Sequence, residues 1–339
     1  MLSMATDIKE MDIEDISVLR PGTVYKATGH AGEILVLKCE AANVNADQLT
    51  HAKRAMQAVD ATAGAVKALK NDEKAALKKW VDFLARATSN FADNKIHNLE
   101  SGPSAKDLHA VLTQQTHALW YKMPFSQLTT ADKALDARMG ANGTVDKSGV
   151  KMFEDGLKAT DGIEQLGRII AADLFIGNQD RFNPAEGSKR QYGGKSLNVR
   201  ALKNIANLFL LGSKNDQKMA FSGRDFFDPG NGYRNVDMSL ADVRDRYSEE
   251  WIGEILCDKK TRKAFAKDVV ADLETLLCPN TKRLSPRTKL GGKAVKRVEN
   301  GMVDGMRLVV QQLTSKYNRG GVWPAGVKER YDQFKAALT

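Results

Sequence analysis

The chain reads as α+β, with a short β-rich front and a longer, mainly helical back. Three observations predict this. The first forty residues hold DISVLR, VYKAT and ILVLKCE, separated by PGT and GHAGE, the pattern of three short strands joined by two tight turns. From about Asn45 onward the apolar residues recur at helical spacing. Only eight prolines interrupt a chain of 339 residues that is rich in Ala, Leu, Lys and Glu. The change of character near Pro124 divides the chain into a small unit, 1–123, and a larger helical unit, 124–339.

The elements follow in order. A helix is predicted through Lys70 (DQLTHAKRAMQAVDATAGAVKALK), and a second starts at an Asn-Asp cap at 71–72 and reaches about Asn94. DLHAVLTQQTHALWYKM holds a helix followed by a strand, ending at Pro124. The segment 127–160 is polar, with ARMGANGTVDKSG as a loop. Ile163, Leu166, Ile169, Ile170 and Leu174 then mark an amphipathic helix that runs into the loop GNQDRF, 177–182. After the polar stretch NPAEGSKRQYGGKSLN, ANLFLLG reads as a short buried strand and KMAFSGRDFFDPGNGY as another strand ending in a turn. Amphipathic runs at 250–257, 262–278, 293–316 and 326–338 complete the chain.

Composition excludes several classes. With 42% hydrophobic residues the chain is neither disordered nor fibrous, and no apolar run approaches the ~20 residues that span a bilayer. The acidic start MLSMATDIKEMDIEDI has no apolar core, which argues against a secretory signal peptide. The expected location is the cytoplasm of the producing cell or, after specialised export, of a host. Cys39, Cys257 and Cys278 are too few and too far apart for a metal or disulfide framework. The five histidines form no zinc-binding pair, and there is no G-x-S-x-G nucleophile elbow. The formal charge of +9 suits a phosphate-rich ligand or an acidic partner. The basic clusters at 187–195 and 281–297 lack interleaved aromatics, which argues against nucleic acid.

Four features carry chemistry. In GTVYKATGHAGEILVLK, the turn at Gly22 and Thr23 can offer backbone N–H groups to a phosphate, and Lys38, ending the third strand, can reach phosphate oxygens. In GNQDRF, Asp180 is placed to orient an attacking hydroxyl and accept its proton, with Arg181 anchoring the loop and Asn178 hydrogen-bonding the backbone. Asn207 precedes one short strand and Asp225 ends the next, so the two can hold Mg²⁺, a cation that takes oxygen ligands. Asp228 is the alternative, although Asp-Pro-Gly-Asn is also a strong turn sequence. KRQYGGKS nearly fits a Walker phosphate loop, but Lys189 stands where the first glycine is required and no strand precedes it. Their order in the chain carries more than any one of them.

That order resembles the protein-kinase-like superfamily, and the front strands are similar to its Gly…Val-Tyr-Lys-Ala…Val-x-Leu-Lys pattern. Gly177-Asn178-Gln179-Asp180-Arg181 most resembles the atypical branch that includes phosphatidylinositol 3/4-kinases and the actin-fragmin kinase catalytic domain. The likeness covers roughly residues 15–235. It departs at the single turn glycine Gly22, at Phe182 where lipid kinases carry His, and at Asn207, which lies much further from Asp180 than in lipid kinases. The resemblance implies a two-lobed fold with ATP between the lobes and adenine against the connector LWYKMP (Trp120, Tyr121 and Met123). Lys38 and the Gly22–Thr23 turn would hold phosphates, and Mg²⁺ would sit on Asn207 and Asp225. The γ-phosphoryl group would pass to a hydroxyl oriented by Asp180, foremost a protein Ser or Thr, with an actin-like substrate suggested by the likeness alone. A lipid or small-molecule kinase, a pseudokinase scaffold and a nucleotidyl transferase are the rival readings. The acid that should pair with Lys38 is not evident; Asp47 and Asp60 are the choices.

Overall fold

A computed structural model of the chain describes residues 7–20, 22–40, 46–90, 101–114, 119–125, 130–131, 148–158, 161–178, 181–182, 188–192, 195–199, 201–202, 205–211, 220–223, 252–277, 289–318, 321–323 and 326–339. It is α+β and divides into two compact units, residues 1–49 with 64–127, and residues 50–63 with 128–339. The segment 50–63 therefore belongs with the helical unit although it lies within the sequence of the β-rich one.

The first unit is built on a five-stranded antiparallel sheet in the order β1-β2-β3-β5-β4. Its strands are β1 Ile13–Arg20, β2 Val24–Gly29, β3 Ile34–Glu40, β4 Lys67–Ala68 and β5 Leu119–Pro124. Side chains alternate between the two faces of a strand, and burial follows suit: Tyr25, Ala27, Leu35, Leu37 and Cys39 are buried while their neighbours are half-exposed. That buried face packs with Leu77 and Val81 of α2 (Asn71–Asn90) and Leu108 and Val111 of α3 (Ser101–Gln114). These helices bring the apolar face that their periodicity requires.

Helix α1 (Ala46–Val59) stops well before Lys70. The Asp60 side chain accepts from the Thr62 N–H at 2.9 Å and the Thr62 hydroxyl at 2.7 Å. This Asx-type turn competes with helix continuation, and a 3₁₀ turn at Ala61–Ala65 leads into β4. Helical periodicity in an alanine-rich run did not reveal that break.

The second unit contains α4 (Ser148–Lys158), α5 (Gly162–Ile176), α6 (Lys259–Leu277), α7 (Gly291–Tyr317) and α8 (Val327–Leu338), with a π-helical turn at Ile252–Cys257. Two small antiparallel hairpins, β6 (Ser188–Tyr192) with β7 (Lys195–Val199) and β8 (Phe209–Leu211) with β9 (Ala220–Ser222), complete it. Helices α5 and α7 cross backbone against backbone. A Cβ added at Gly167 would lie 2.3 Å from the Val298 carbonyl oxygen, and one at Gly301 would lie 2.1 Å from that of Glu164. The Arg168–Asp304 ion pair, 2.7 Å, ties the same two helices. Phe175 and Phe334 meet edge to face at 5.0 Å, fixing α8 on α5. Among the described residues no helix is long and apolar enough to cross a membrane.

Candidate functional site

Lys38 lies on the β3 face opposite the core. Its register partners are Val24 on β2 and Tyr121 on β5, and its Nζ sits 5.8 Å from the Tyr121 ring centroid. The Tyr121 hydroxyl donates to Glu40 Oε1 at 2.9 Å. Met123 pairs with Val36 and so shares this face. Trp120 does not. LWYKMP is a strand rather than a connector, so its consecutive side chains alternate, and Trp120 points into the core beside Tyr25, ring centroids 6.2 Å apart. The three residues named from LWYKMP thus split, Tyr121 and Met123 beside Lys38 and Trp120 away from it.

The turn at Gly22 and Thr23 is occupied from within. Gly22 has φ 71°, the left-handed conformation that glycine tolerates best. Its N–H donates to Asp107 Oδ2 at 3.3 Å, and the Tyr25 hydroxyl donates to the same oxygen at 2.7 Å. The Thr23 N–H donates to the Arg20 carbonyl at 3.2 Å. A phosphate at Gly22 would have to displace a carboxylate, so the open cradle expected from the sequence is closed here by Asp107.

Glu73 and Asp60 have partners of their own. Glu73 on α2 forms a fully buried ion pair with Lys122 on β5, and its other oxygen accepts from the Lys70 N–H at 3.1 Å. Asp60 bonds to Thr62, Ser222 and Gly223. The Asp47 side chain lies outside the described residues.

In the second unit, α5 ends at Gly177 in the left-handed conformation, φ 75° and ψ 26°, as a helix C-terminus prefers. The loop that follows is anchored by a carboxylate from the helix itself. Asp173 is fully buried and Arg181 is 1% exposed. Arg181 donates Nε to Asp173 Oδ2 at 2.7 Å and Nη2 to Oδ1 at 2.5 Å, a bidentate fork. Asn178 donates its side-chain amide to Asp173 Oδ1 at 2.9 Å and its N–H to the Asp173 carbonyl at 2.9 Å. The fork ties buried Arg181 to the last turn of α5.

The same guanidinium reaches two further segments. Arg181 Nη1 donates to the Asn207 carbonyl at 3.3 Å. At Gly223 an added Cβ would fall 3.1 Å from Arg181 Nη2, so glycine lets that backbone pass against the guanidinium. Gly223 is fixed in turn by its N–H bond to Asp60 Oδ2, 3.0 Å. Phe182 bridges to Leu202, and Asp272 on α6 accepts from the N–H groups of Ala201 (2.6 Å) and Leu202 (2.9 Å).

Asp180, Asp225 and Asp228 lie outside the described residues. Asn207 is half-buried at the end of a 3₁₀ turn, Ile205–Asn207, immediately before Leu208 and β8. A hard cation needs several oxygen donors. Of the residues named for Mg²⁺, the described part supplies Asn207, and among the described residues no cluster of three His, Cys, Asp or Glu is present. KRQYGGKS lies in the β6–β7 hairpin, without the following helix that a Walker loop requires. The sequence reading missed Asp173 and Asp272, and it offered Asp60 only as a partner for Lys38, whereas Asp60 bonds to Thr62, Ser222 and Gly223. Asp173 left a trace, an acid inside the otherwise apolar run IIAADLFI, where only a partnered charge is tolerated.

Comparison of the chain with family models, with curated proteins and with solved structures found no match in any of the three.

Proposed function

We propose that the protein is an ATP- and Mg²⁺-dependent kinase that transfers the γ-phosphoryl group to a hydroxyl, foremost a Ser or Thr of a protein. One observation supports this reading above the rest. The buried Arg181 guanidinium joins three segments far apart in sequence: the loop that carries Asp180, the turn at Asn207, and Gly223, two residues before Asp225. These are the segments in which the sequence offers a base and two metal ligands. Phosphoryl transfer depends mainly on positioning and charge stabilisation, and a rigid shared anchor serves that need.

In the proposed reaction the acceptor oxygen attacks the γ-phosphorus and the bond to the β-phosphate oxygen breaks. ADP departs, and the acceptor proton passes to the Asp180 carboxylate. Lys38, on the same face as Tyr121 and Met123, would neutralise phosphate charge, and that face would receive the nucleotide. Asn207 and Asp225, with Asp228 as the alternative to Asp225, would hold Mg²⁺, which would neutralise charge on the phosphates. Arg181, bonded to Asp173 and Asn207, would serve as an anchor for the segment that carries Asp180.

A second reading is a pseudokinase-type binding scaffold without turnover, with which the closing of the Gly22 turn by Asp107 is compatible. Both are tested by thermal-shift titration with ATP and Mg²⁺, followed by ³²P transfer from γ-labelled ATP, on wild type, Lys38→Ala and Asp180→Asn. Binding to the folded state raises Tm by mass action. The kinase reading expects a Mg²⁺-dependent shift lost in Lys38→Ala, and label transfer lost in both variants. A shift without transfer in wild type would select the scaffold. No shift at millimolar ATP would remove both readings.

A further inference from the structure

We propose that exposed lysines on α6 and at the start of α7 form a docking surface for an acidic segment of another protein, a helix whose carboxylates recur at three- and four-residue spacing. It does not rest on the kinase reading. Lys260, Lys267 and Glu274 stand seven residues apart on α6, so they fall nearly on one line along the helix, about 21 Å from end to end. Lys263 lies between the first two, three residues from one and four from the other, and all three lysines are exposed. Glu274 is engaged at the end of the line. Its Oε1 accepts the Leu290 N–H at 2.7 Å and the Gly291 N–H at 3.4 Å, which joins that end to the start of α7. Lys289 and Lys293, both exposed, flank the contact and continue the band.

This placement of charge works against the helices. A helix N-terminus favours acids, and α2, α5 and α8 carry them in the first turn: Asp72 with Glu73, Glu164, and Glu329. Neither α6 nor α7 has an acid there, and α6 begins with Lys259 and Lys260. Lys259, Lys263 and Lys267 then follow at four-residue spacing, where like charges repel. Elsewhere in this unit exposed helical lysines stand four residues from an acid that pairs with them, as in Lys151–Asp155 at 2.9 Å and Lys328–Asp332 at 2.5 Å. Among the described residues the band lysines form no ion pair, and Asp258, the acid beside them, caps α6 by accepting the Thr261 N–H at 2.8 Å. A row of anions laid along the band would relieve both the repulsion and the misplaced charge. The residues between the charged positions are Ala264 and Ala271, both exposed. Among the described residues this face has no aromatic ring to stack on a base and no large apolar side chain to enter a bilayer. What it offers is a straight row of point charges over about four helical turns, the spacing of carboxylates along one face of an acidic helix.

The experiment is fluorescence anisotropy on the full-length protein with a labelled, alanine-based helical peptide of about 20 residues that carries glutamates at alternating three- and four-residue spacing. Binding is expected at low salt and should weaken between about 0.05 and 0.15 M salt. Lys263→Glu should weaken it about fivefold. The same change should raise Tm, because it sets an acid among Lys259, Lys260 and Lys267 near the helix start. Replacing Lys260, Lys263 and Lys267 together by Glu should weaken binding at least ~30-fold. A control with Lys78→Glu, Lys79→Glu and Lys106→Glu, at exposed positions of α2 and α3, changes net charge equally and should bind like wild type. A wild type that does not bind the peptide at low salt, or an equal loss in the control, would overturn the proposal. Tighter binding of a mixed-sequence DNA duplex or of phosphatidylserine vesicles through the same lysines would also overturn it, by assigning the band to nucleic acid or to a membrane. The assay contains no nucleotide, so failure of the kinase reading would leave this result unaffected.

Discussion

Breaking the Arg181–Asp173 pair should be among the most damaging single changes in the second unit. Arg181→Met removes a bidentate partner from a carboxylate with no solvent exposure, and Asn178, which shares that carboxylate, cannot supply the missing charge. Removing one member of a buried ion pair costs about 3–5 kcal/mol, because the survivor is left desolvated and uncompensated. The guanidinium also donates to Asn207, so its loss leaves that carbonyl short of a donor, at the cost of about 1 kcal/mol more. In a unit of this size each kcal/mol lowers Tm by about 2–4 °C, so the melting point should fall by at least ~8 °C. The assay is urea unfolding with midpoint and slope recorded for Arg181→Met, Asp173→Leu and the double variant. Because the double variant leaves no orphan charge, it should recover much of the loss and be less destabilised than the two singles added together. Singles that cost under ~1 kcal/mol, or a double variant that equals their sum, would refute the buried anchor. Such values belong to an exposed pair.

Three further predictions follow from the same structure. Gly301→Ala should destabilise by about 1–3 kcal/mol, since its methyl would meet the Glu164 carbonyl, whereas Gly292→Ala, with nothing within 4 Å, should be neutral or slightly stabilising; paired thermal melts decide. Burial pushes the Cys39 thiol up to about 12 from an ordinary 9.0. The unfolded chain therefore loses this proton first, and its contribution to stability is complete below pH ~9 and is lost as pH rises toward 12. Native thiol titration should accordingly label exposed Cys257 and spare Cys39 until the protein unfolds. Asp107→Asn removes the charge beside the Gly22 N–H, so ATP·Mg²⁺ affinity by calorimetry should tighten about fivefold; unchanged or weaker binding would show that the turn makes no phosphate contact.

The parts legible in the sequence were those governed by local rules. Two-residue alternation placed β2 and β3, and Gly22 and Gly32 mark the turns that flank β2, both with positive φ. The 3.6-residue period placed α5 and α7, and the abrupt loss of periodicity at Gly177 marked the loop. What escaped depends on long-range partners. Nothing near Asp60 in sequence announces Ser222, and nothing near Glu73 announces Lys122. The early end of α1 escaped for the same reason, because an Asx turn at one aspartate outweighed an alanine-rich run. Trp120 points to the core because LWYKMP is an interior strand; a connector and such a strand share one apolar composition, and only the register separates their faces.

The crossing of α5 and α7 acts as a fulcrum. Helix between Gly167, where the backbones touch, and Gly177, where the anchored loop begins, is about 15 Å long. A tilt of about 4° about the contact would carry the loop end roughly 1 Å, a displacement that can cost about a hundredfold in rate when it reaches reacting groups. Side chains packed between two helices can yield by changing rotamer, but backbone against backbone has almost no such play. The glycines of this crossing thus set an angular tolerance for a loop one helix-length away, and substitutions there should tilt the loop as well as destabilise the crossing.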